Sequence, residues 1–286
     1  MKKVYLFIFV FIINFSLILN DDNDDLYKNC TIVNKSPINI DNSNVREISL
    51  PPLKIERSYY PSFGNIKLNS TDMSLTPNNW ETARLYINHY NTTLKYQPKK
   101  IYVRIFSEHS FENLKYDIEL QIFHELKEPV YDPQNENIPE FLCISIFFDS
   151  GRNKKSKIFE QFYKTKKYEE DLTKKYIFKN IENIDLNLYI NFNDPYYFYE
   201  GSGTSPDENQ NDKFNCNKNI YWILMKKVNP MSEEEFNNLR LAYYREEKKK
   251  NGQEITLIKN SRKPVNLNSE NGPFLYYFEN KKETNE

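Results

Sequence analysis

The chain has 286 residues, enough for one or two domains with a sizeable buried core, and its 39 basic and 40 acidic side chains nearly cancel. A balanced charge creates no overall field that would attract nucleic acid or an anionic membrane, so we expect no nucleic-acid partner. The 6 glycines do not form a glycine-rich phosphate-binding loop, which removes the common nucleotide-binding motifs.

The first 20 residues, MKKVYLFIFVFIINFSLILN, have the pattern of a secretory signal peptide. Two lysines precede an apolar run from Val4 to Leu19, which is shorter than the roughly 20 residues of a spanning helix. The cleavage context lacks an A-x-A-like pair, so an uncleaved anchor remains the alternative. We expect a secreted or cell-surface protein with residues 1–20 as leader, residues 21–286 as one domain, and no membrane span once the leader is removed.

Passage through the secretory pathway has consequences for asparagines and cysteines. Four N-x-S/T triplets are candidate glycosylation sites, and a glycosylated asparagine must lie at the surface. Their asparagines are Asn29, Asn34, Asn69 and Asn91. An oxidising compartment favours pairing two of the three cysteines. Cys143 lies in the apolar run FLCISIFF and is expected to be a buried strand residue. Cys30 and Cys216 have polar, loop-like surroundings and are the expected pair.

Short alternating or apolar runs predict a single β-rich domain. In chain order they are KIYVRIF (100–106), YDIELQIF (116–123), FLCISIFF (141–148), LNLYINF (186–192) and IYWILM (220–225). Alternation in the first two predicts strands with one face toward a core, and the continuous runs FLCISIFF and IYWILM predict central strands buried on both faces. His89, in the polar stretch YINHYN, is expected in a loop.

A helix is predicted to begin after Ser232. Ser232 and Glu235 have the spacing of a capping box, in which each side chain bonds the other residue's backbone N–H. Phe236, Leu239 and Tyr243 then form an apolar stripe at helical spacing, and an Asn-Gly pair is the expected stop.

Four separated motifs carry a family resemblance: NCTIVNKSPINI (29–40), SEHSFENLKYDIELQIFH (107–124), YEGSGTSP (199–206) with the later IYWILMKKVNPMSEEEF (220–236), and NSRKPVNLN (260–268). They resemble, in order, the S-P-I-[ND]-I, S-E-H-T…E-L-H-x-x-H, Y-x-G-S-L-T-T-P…W-x-[VI] and N-x-R-P-x-Q-x-L-N signatures of α-class carbonic anhydrases. The ordered set is far more specific than any one motif, and it extends from residue 30 to about residue 275.

The resemblance implies a mainly β (α+β) fold. Its centre is a twisted, mostly antiparallel sheet of about ten strands with short peripheral helices, and the site lies at the base of a conical cleft. The resemblance also supports the Cys30–Cys216 pair, since secreted members of the family often bridge these regions.

The family's chemistry depends on a zinc ion held by three neutral imidazoles. A water in the fourth position becomes the hydroxide that attacks carbon dioxide. The resemblance places the three ligand positions of this chain at Tyr102, Arg104 and Gln121. Phenol and amide are poor zinc ligands, and a guanidinium has no lone pair to give. We therefore predict a pseudoenzyme with no zinc, no other cofactor and no catalytic residues.

The residues that support the zinc site in the family are largely retained. Glu108 and Thr204 match the pair that orients the zinc-bound hydroxide. Glu119 matches the carboxylate behind the third ligand, and His109 and His124 match flanking structural histidines. The proton-shuttling histidine has no counterpart. In a displaced metal site, His109 and His124 would meet Glu108 or Glu119; we favour hydrogen-bonded core histidines instead.

Arg104 is the substitution with the most direct structural consequence. An arginine that faces a core is costly unless it is paired and hydrogen-bonded. We therefore predict that its guanidinium occupies the place of the dication, with Glu119 or Glu108 as partner and Gln121 bonded nearby. In the alternative, Arg104 turns toward solvent along the cleft.

Three functions follow from these observations. The leading hypothesis is a secreted carbonic-anhydrase-like protein without hydratase activity that acts by binding a protein or surface partner. The alternative is an active zinc carbonic anhydrase or a hydrolase with a displaced site, for which Ser202 between two glycines is a candidate. The third is a structural component of an extracellular assembly. The sequence identifies neither the partner nor the oligomeric state.

Overall fold

The computed structural model of the protein describes residues 30–32, 36–47, 54–57, 64–69, 72–77, 83–89, 92–127, 138–152, 154–156, 158–159, 176–178, 185–191, 193–204, 214–240, 265–266 and 275–278. The predicted leader and the sequon residues Asn29, Asn34 and Asn91 lie outside these ranges, whereas Asn69 ends a strand. Among the residues that the structure describes, no helix has the length and hydrophobicity of a membrane-spanning segment.

The described part of the chain is built mainly of strands. In chain order these are β1 (Ile38–Ile40), β2 (Val45–Glu47), β3 (Lys54–Arg57), β4 (Gly64–Asn69), β5 (Asp72–Pro77), β6 (Arg84–His89), β7 (Thr92–Ile105), β8 (Ser110–Phe111), β9 (Ile118–Leu126), β10 (Phe141–Asp149), β11 (Tyr176–Phe178), β12 (Tyr196–Ser202), β13 (Asn219–Pro230), β14 (Val265–Asn266) and β15 (Leu275–Phe278). Short 3-10 turns cover Asn42–Asn44, Ser150–Arg152 and Leu186–Leu188, and an α-helix covers 233–240.

The main sheet contains 12 of these strands in the order β11-β4-β5-β7-β9-β10-β13-β12-β15-β2, with β6 also paired to β7 and β3 to β6. Its pairs are antiparallel except β10–β13 and β15–β2, which are parallel. A second sheet of 3 strands, β14-β1-β8, is parallel. The predicted twisted, mostly antiparallel fold is confirmed.

The two faces of the sheet bury different side chains. One face is mainly aliphatic around Ile122, Ile144 and Ile223. The other is aromatic and includes Phe123 and Trp222, whose rings meet edge to face at 5.8 Å. Both faces of β10 are buried from Phe141 to Phe148, as its continuous apolar run predicts. The polar site described below interrupts the aromatic face.

The sequence predictions for the central strands and for the helix start are confirmed. IYWILM lies in β13, and Cys143 is fully buried in β10. Glu235 N donates to Ser232 Oγ at 3.2 Å and Ser232 N donates to Glu235 Oε2 at 3.0 Å, which is the predicted capping box. Phe236 and Leu239 are buried, whereas Tyr243 and the Asn-Gly stop lie outside the described residues.

Two assignments from sequence were wrong. LNLYINF does not form a strand: Leu186–Leu188 is a 3-10 turn in which Asp185 accepts a hydrogen bond from Asn187 N at 3.0 Å. Asx side chains offer the backbone such local partners, which compete with a sheet ladder. His89 is not in a loop but ends β6, where it is the register partner of Thr92. The alternating burial of Leu85 and Ile87 reveals this strand.

The predicted disulfide is confirmed. Cys30 and Cys216 are bonded, with Cα atoms 5.4 Å apart across a sequence separation of 186. The bond ties the start of the described chain to the loop between β12 and β13. Cys143 is the free cysteine of the described residues and is buried.

Removing this disulfide should lower stability substantially. On the chain-entropy account, the double substitution Cys30→Ser/Cys216→Ser should cost up to roughly 4–5 kcal/mol, because the unfolded chain loses a very long closed loop. Urea unfolding with and without reductant measures the effect. Reductant should lower the midpoint of the native protein and leave that of the double variant unchanged. Equal midpoints for the two oxidised proteins would contradict this expectation.

Candidate functional site

Pairing of β7 with β9 gathers Tyr102, Arg104 and Gln121, the three predicted ligand positions, on one face of the sheet. Tyr102 is the register partner of Gln121, and Arg104 is the partner of Glu119. Residues two apart on a strand share a face, so all four side chains belong to the aromatic side of the sheet. Glu119 and Gln121 of β9 are buried on this face, although alternation alone predicts one exposed face.

The turn after β7 brings the remaining acidic and imidazole groups back over this face. Phe106 has a left-handed backbone with φ of 58°, and its N–H donates to Asp117 O at 2.8 Å. Such a conformation is strained for a bulky residue. Ser107 Oγ donates to His109 O at 2.6 Å within the same turn. These contacts place Glu108 and His109 beside Glu119.

Five contacts converge on the fully buried carboxylate of Glu119. Oε1 accepts from Ser145 Oγ at 2.7 Å and Gln121 Nε2 at 3.1 Å, and lies 2.8 Å from His109 Nδ1. Oε2 accepts from the backbone N–H groups of Glu108 and His109 at 2.8 and 3.0 Å. Burial alone would raise the pKa of Glu119, but the neighbouring His109 and these hydrogen bonds outweigh it and lower the pKa to about 2.

The amide of Gln121 joins the two carboxylates to the arginine. Its Nε2 donates to Glu108 Oε2 at 2.7 Å and to Glu119 Oε1 at 3.1 Å. Its Oε1 accepts from Arg104 Nε at 3.2 Å. Both ends of this buried amide are therefore engaged by charged groups.

Arg104 contacts Glu108, one of its two predicted partners. Arg104 Nε lies 3.3 Å from Glu108 Oε1, and the two side chains are 13% and 2% exposed. The guanidinium carbon lies 4.6 Å from the centre of the Tyr102 ring, within range of a cation–π interaction. The guanidinium is thus directed into the site, and the alternative of an arginine turned toward solvent does not describe the structure.

Tyr102 is buried beneath the cations. Its hydroxyl accepts from Lys100 Nζ at 2.5 Å, and its ring meets Phe123 edge to face at 5.4 Å. The phenol is therefore part of the aromatic packing of this face.

His109 continues the network away from Glu119. Its Nε2 lies 2.7 Å from Tyr199 Oη, which donates to Ser36 Oγ at 2.9 Å. The ring also meets Trp222 edge to face at 4.9 Å. With both ring nitrogens in hydrogen-bonding contacts, His109 has the arrangement of a structural core histidine.

His124 lies on the same strand as Glu119, further along β9, and is fully buried. Desolvation lowers its pKa to about 3, although backbone groups of Leu142 and Ile122 act in the opposite direction. The residue is therefore a neutral imidazole at ordinary pH.

The described residues contain no group of three or more His, Cys, Asp or Glu side chains that could hold a metal ion. This finding gives no support to a displaced site built on His109 and His124. Thr204, which the family resemblance pairs with Glu108, is buried just beyond the end of β12. Ser202 Oγ accepts from Ser36 N and donates to Gly203 O, both at 3.0 Å, so its described contacts are structural.

The side chains of Tyr102, Arg104 and Gln121, the positions that the family resemblance assigns to zinc ligands, do not fit zinc. The Tyr102 hydroxyl faces an ammonium, and the Gln121 nitrogen donates to two carboxylates. Arg104 brings a positive charge and no lone pair. A dication at this place would meet a guanidinium instead of three imidazoles, so the donor set contradicts the family's metal.

Sequence reasoning missed Ser145, Tyr199, Ser36 and Lys100, each of which contacts this network. Ser145 is the register partner of Gln121 from β10, a relation visible only once the strands are aligned. Lys100 could have been found from the sequence, because it lies two residues before Tyr102 on the same strand and thus on the same face.

The pH dependence of stability provides a test of the buried state of His124. Its folded pKa of about 3 lies below the ordinary value of 6.5, so between these pH values the unfolded chain binds the proton that the folded chain does not. Stability should therefore fall as pH decreases from about 6.5, by several kcal/mol in total. His124→Gln should flatten this slope in urea titrations between pH 6.5 and 4. Parallel slopes for the two proteins would contradict the assignment.

Known proteins share the fold described above. The profile of the family described as eukaryotic-type carbonic anhydrase matches residues 21–271. The chain belongs to this family.

Its relatives include both carbonic anhydrases and a dioscorin. The chain is 26% identical over 210 residues to dioscorin DB3L of Dioscorea polystachya, a match that covers 73% of this chain and 66% of that protein. The chain thus spans just under two thirds of the length of this relative.

Solved structures support the fold. A dioscorin complexed with ascorbate superimposes with a TM-score of 0.63 at 22% identity, covering 87% of each chain. A halotolerant carbonic anhydrase from Dunaliella salina gives 0.64 at 17% identity, covering 88% of this chain and 90% of that one. The α-carbonic anhydrase of Thermovibrio ammonificans, solved with sulfanilamide, gives 0.61 at 20%, covering 85% and 87%.

Proposed function

We propose that this protein is a secreted member of the carbonic anhydrase family that lacks hydratase activity and acts by binding. The observation that carries the proposal is the set of contacts made by Gln121. Its amide donates to Glu108 and Glu119 and accepts from Arg104, and this hydrogen-bonded network supports the proposal at the positions that the family resemblance assigns to zinc ligands.

The charges and hydrogen bonds of the network support a site without a metal. Arg104 supplies positive charge beside Glu108, and Glu119 is satisfied by the hydrogen bonds that lower its pKa. A half-satisfied polar site would be costly in this buried position. The contacts therefore favour a rebuilt site over a decayed one.

Secretion is supported by the disulfide and by the leader-like first 20 residues. Glycosylation at the four sequons remains part of the proposal. A binding role is supported by one relative: the dioscorin structure of the same fold was solved with ascorbate, a small molecule. We infer that this chain also uses the fold for recognition. Its ligand would be either a small molecule or a protein or surface partner.

The alternative function is catalysis at a displaced site, either as a zinc carbonic anhydrase or as a hydrolase. It would require His109 or Ser202 to leave its present contacts. His109 lies between Glu119 and Tyr199, and Ser202 lies between Ser36 N and Gly203 O. These contacts favour structural roles for both residues.

Carbon dioxide hydration on the purified protein tests the proposal. We expect the rate to equal the uncatalysed rate, with an active carbonic anhydrase as positive control. The matched variant Tyr102→His/Arg104→His/Gln121→His restores three imidazoles in the same fold and should acquire zinc where the native chain does not. Catalysis by the native protein would contradict the proposal. Esterase activity that Ser202→Ala abolishes would instead support the hydrolase alternative.

A further inference from the structure

The disulfide fastens a short N-terminal segment to the main sheet. We call this segment, the described part of residues 30–37, the strap. Its first residue, Cys30, is bonded to Cys216 in the loop between β12 and β13. Beside the disulfide, Thr31 donates two hydrogen bonds to Asn217 Oδ1, at 2.7 Å from its N–H and at 3.0 Å from its hydroxyl. Both hydrogen bonds are exposed, so water competes for them and the covalent bond is the stronger attachment.

The other end of the strap is packed against β12 at Ser36. Ser36 is fully buried, and its N–H donates to Ser202 Oγ at 3.0 Å. Gly201, the neighbour of Ser202, leaves no space for a side chain, because a Cβ there would lie 2.3 Å from Ser36 Oγ. The glycine therefore allows the strap to approach the strand this closely.

Ser36 also joins the strap to the buried polar network. Tyr199 Oη donates to Ser36 Oγ at 2.9 Å and lies 2.7 Å from His109 Nε2. His109 Nδ1 in turn lies 2.8 Å from Glu119 Oε1. All four side chains are fully buried, and the members of a buried hydrogen-bonded network polarise one another. A continuous chain of contacts thus leads from the strap to the carboxylate of Glu119.

We propose that the Cys30–Cys216 disulfide is a redox-sensitive fastener that controls the order of the strap and, through Ser36, the positions of Tyr199 and His109. With the disulfide intact, the strap is fixed at both ends. Reduction leaves exposed hydrogen bonds at one end, so local opening of the strap requires less free energy. The inference goes beyond the proposed binding function and does not depend on it.

The chemical step is thiol–disulfide exchange with a small thiol. Cys30 is partly exposed whereas Cys216 is fully buried, so the thiolate of the reductant attacks Cys30 Sγ. A mixed disulfide forms, and Cys216 leaves as a thiolate that takes up a proton. A second small thiol then attacks the sulfur of the first, which releases Cys30 as a thiol and forms the disulfide of the reductant. Oxidising surroundings keep the strap fastened, and thiol-rich surroundings release it.

Nuclear magnetic resonance with and without reduced dithiothreitol tests the order of the strap. The order parameter S² of the Ser36 N–H should fall from about 0.85 to below about 0.6 on reduction, whereas that of Ile144 in β10 should remain near 0.85. An unchanged Ser36 order parameter in the reduced, folded protein would overturn the inference. Loss of the native resonances throughout the protein would overturn it too, because a switch requires a folded reduced state.

Trp222 reports the link between the strap and the network. Its Nε1 donates to Ser202 O at 3.0 Å, and its ring is stacked on the Tyr199 ring, with 6.2 Å between the ring centres. Reduction should therefore shift the indole N–H resonance of Trp222 together with the ring resonances of His109.

Ser36→Ala tests the same link while the disulfide is intact. The variant lacks the hydroxyl that accepts from the tyrosine, so the Trp222 and His109 resonances should shift in the same direction as on reduction. Ser43→Ala is the matched control, because its hydroxyl lies in an exposed turn, and it should leave these resonances in place. His109 resonances that neither reduction nor Ser36→Ala moves would overturn the inference.

Discussion

Glu119→Gln is expected to destabilise the protein by about 3–5 kcal/mol even though the two side chains have nearly the same shape. The carboxylate is fully buried, and its four unambiguous partners, the N–H groups of Glu108 and His109, the Ser145 hydroxyl and the Gln121 amide, all donate to it. An amide nitrogen in place of either oxygen would face hydrogen-bond donors. The substitution thus removes acceptors without leaving a cavity.

The matched control is Glu125→Gln on the same strand. Glu125 is partly exposed and pairs with Lys99, so its substitution should cost no more than about 1 kcal/mol. Urea unfolding of the two variants measures the difference. Similar midpoints for Glu119→Gln and Glu125→Gln would show that the buried contacts of Glu119 do not stabilise the fold.

The effect of Glu119 should also depend on pH. Its folded pKa of about 2 lies below the ordinary value of 4.5, so the folded state holds the charged form while the unfolded state takes up a proton. The stabilisation by the charged form is therefore fully present above about pH 4.5 and is lost as pH falls toward 2. The stability difference between native protein and Glu119→Gln should shrink over the same interval.

Arg104→Met should destabilise the protein by about 2–4 kcal/mol. It leaves the Glu108 carboxylate, 2% exposed, without its ion-pair partner. The cost should be smaller than for a fully buried ion pair, because the arginine is 13% exposed and water screens part of the interaction.

A double-mutant cycle isolates this pair from other effects of the substitution. Adding Glu108→Gln to Arg104→Met neutralises the uncompensated carboxylate and should recover part of the lost stability. Lys99→Met, which breaks an exposed ion pair on the same strand, is the control and should cost less than about 1 kcal/mol. An unchanged denaturant midpoint for Arg104→Met would contradict the account of Arg104 as a structural replacement.

The sequence predicted the elements whose signal is local or whose motif is specific. The apolar run of β10, the capping box at Ser232 and Glu235, and the Cys30–Cys216 pair all have such signals. The strand predicted for LNLYINF is absent because Asp185 and Asn187 form a local turn that hydrophobic periodicity does not detect. His89 was wrongly assigned to a loop because its polar neighbours obscure the alternating pattern of β6 in the sequence.

The sequence predicted several residues of the site, but it predicted fewer of the hydrogen bonds that join them. The motifs placed Arg104, Glu108, Glu119 and Gln121 near one another, and Glu108 was one of the two expected partners of Arg104. The role of Ser145 depends on the register of β10 against β9, which is set by packing of the whole sheet. The same holds for His109 and Tyr199, which are 90 residues apart and meet only through the fold.

We propose that Arg104 and the Gln121 amide occupy the place of the family's metal in this protein. The most direct test is elemental analysis of the purified native protein after dialysis against zinc and then against metal-free buffer, beside the Tyr102→His/Arg104→His/Gln121→His variant. We expect well below one equivalent of zinc in the native chain and close to one in the variant. One equivalent of tightly held zinc in the native protein would contradict the claim and direct attention to His109 and His124 as ligands.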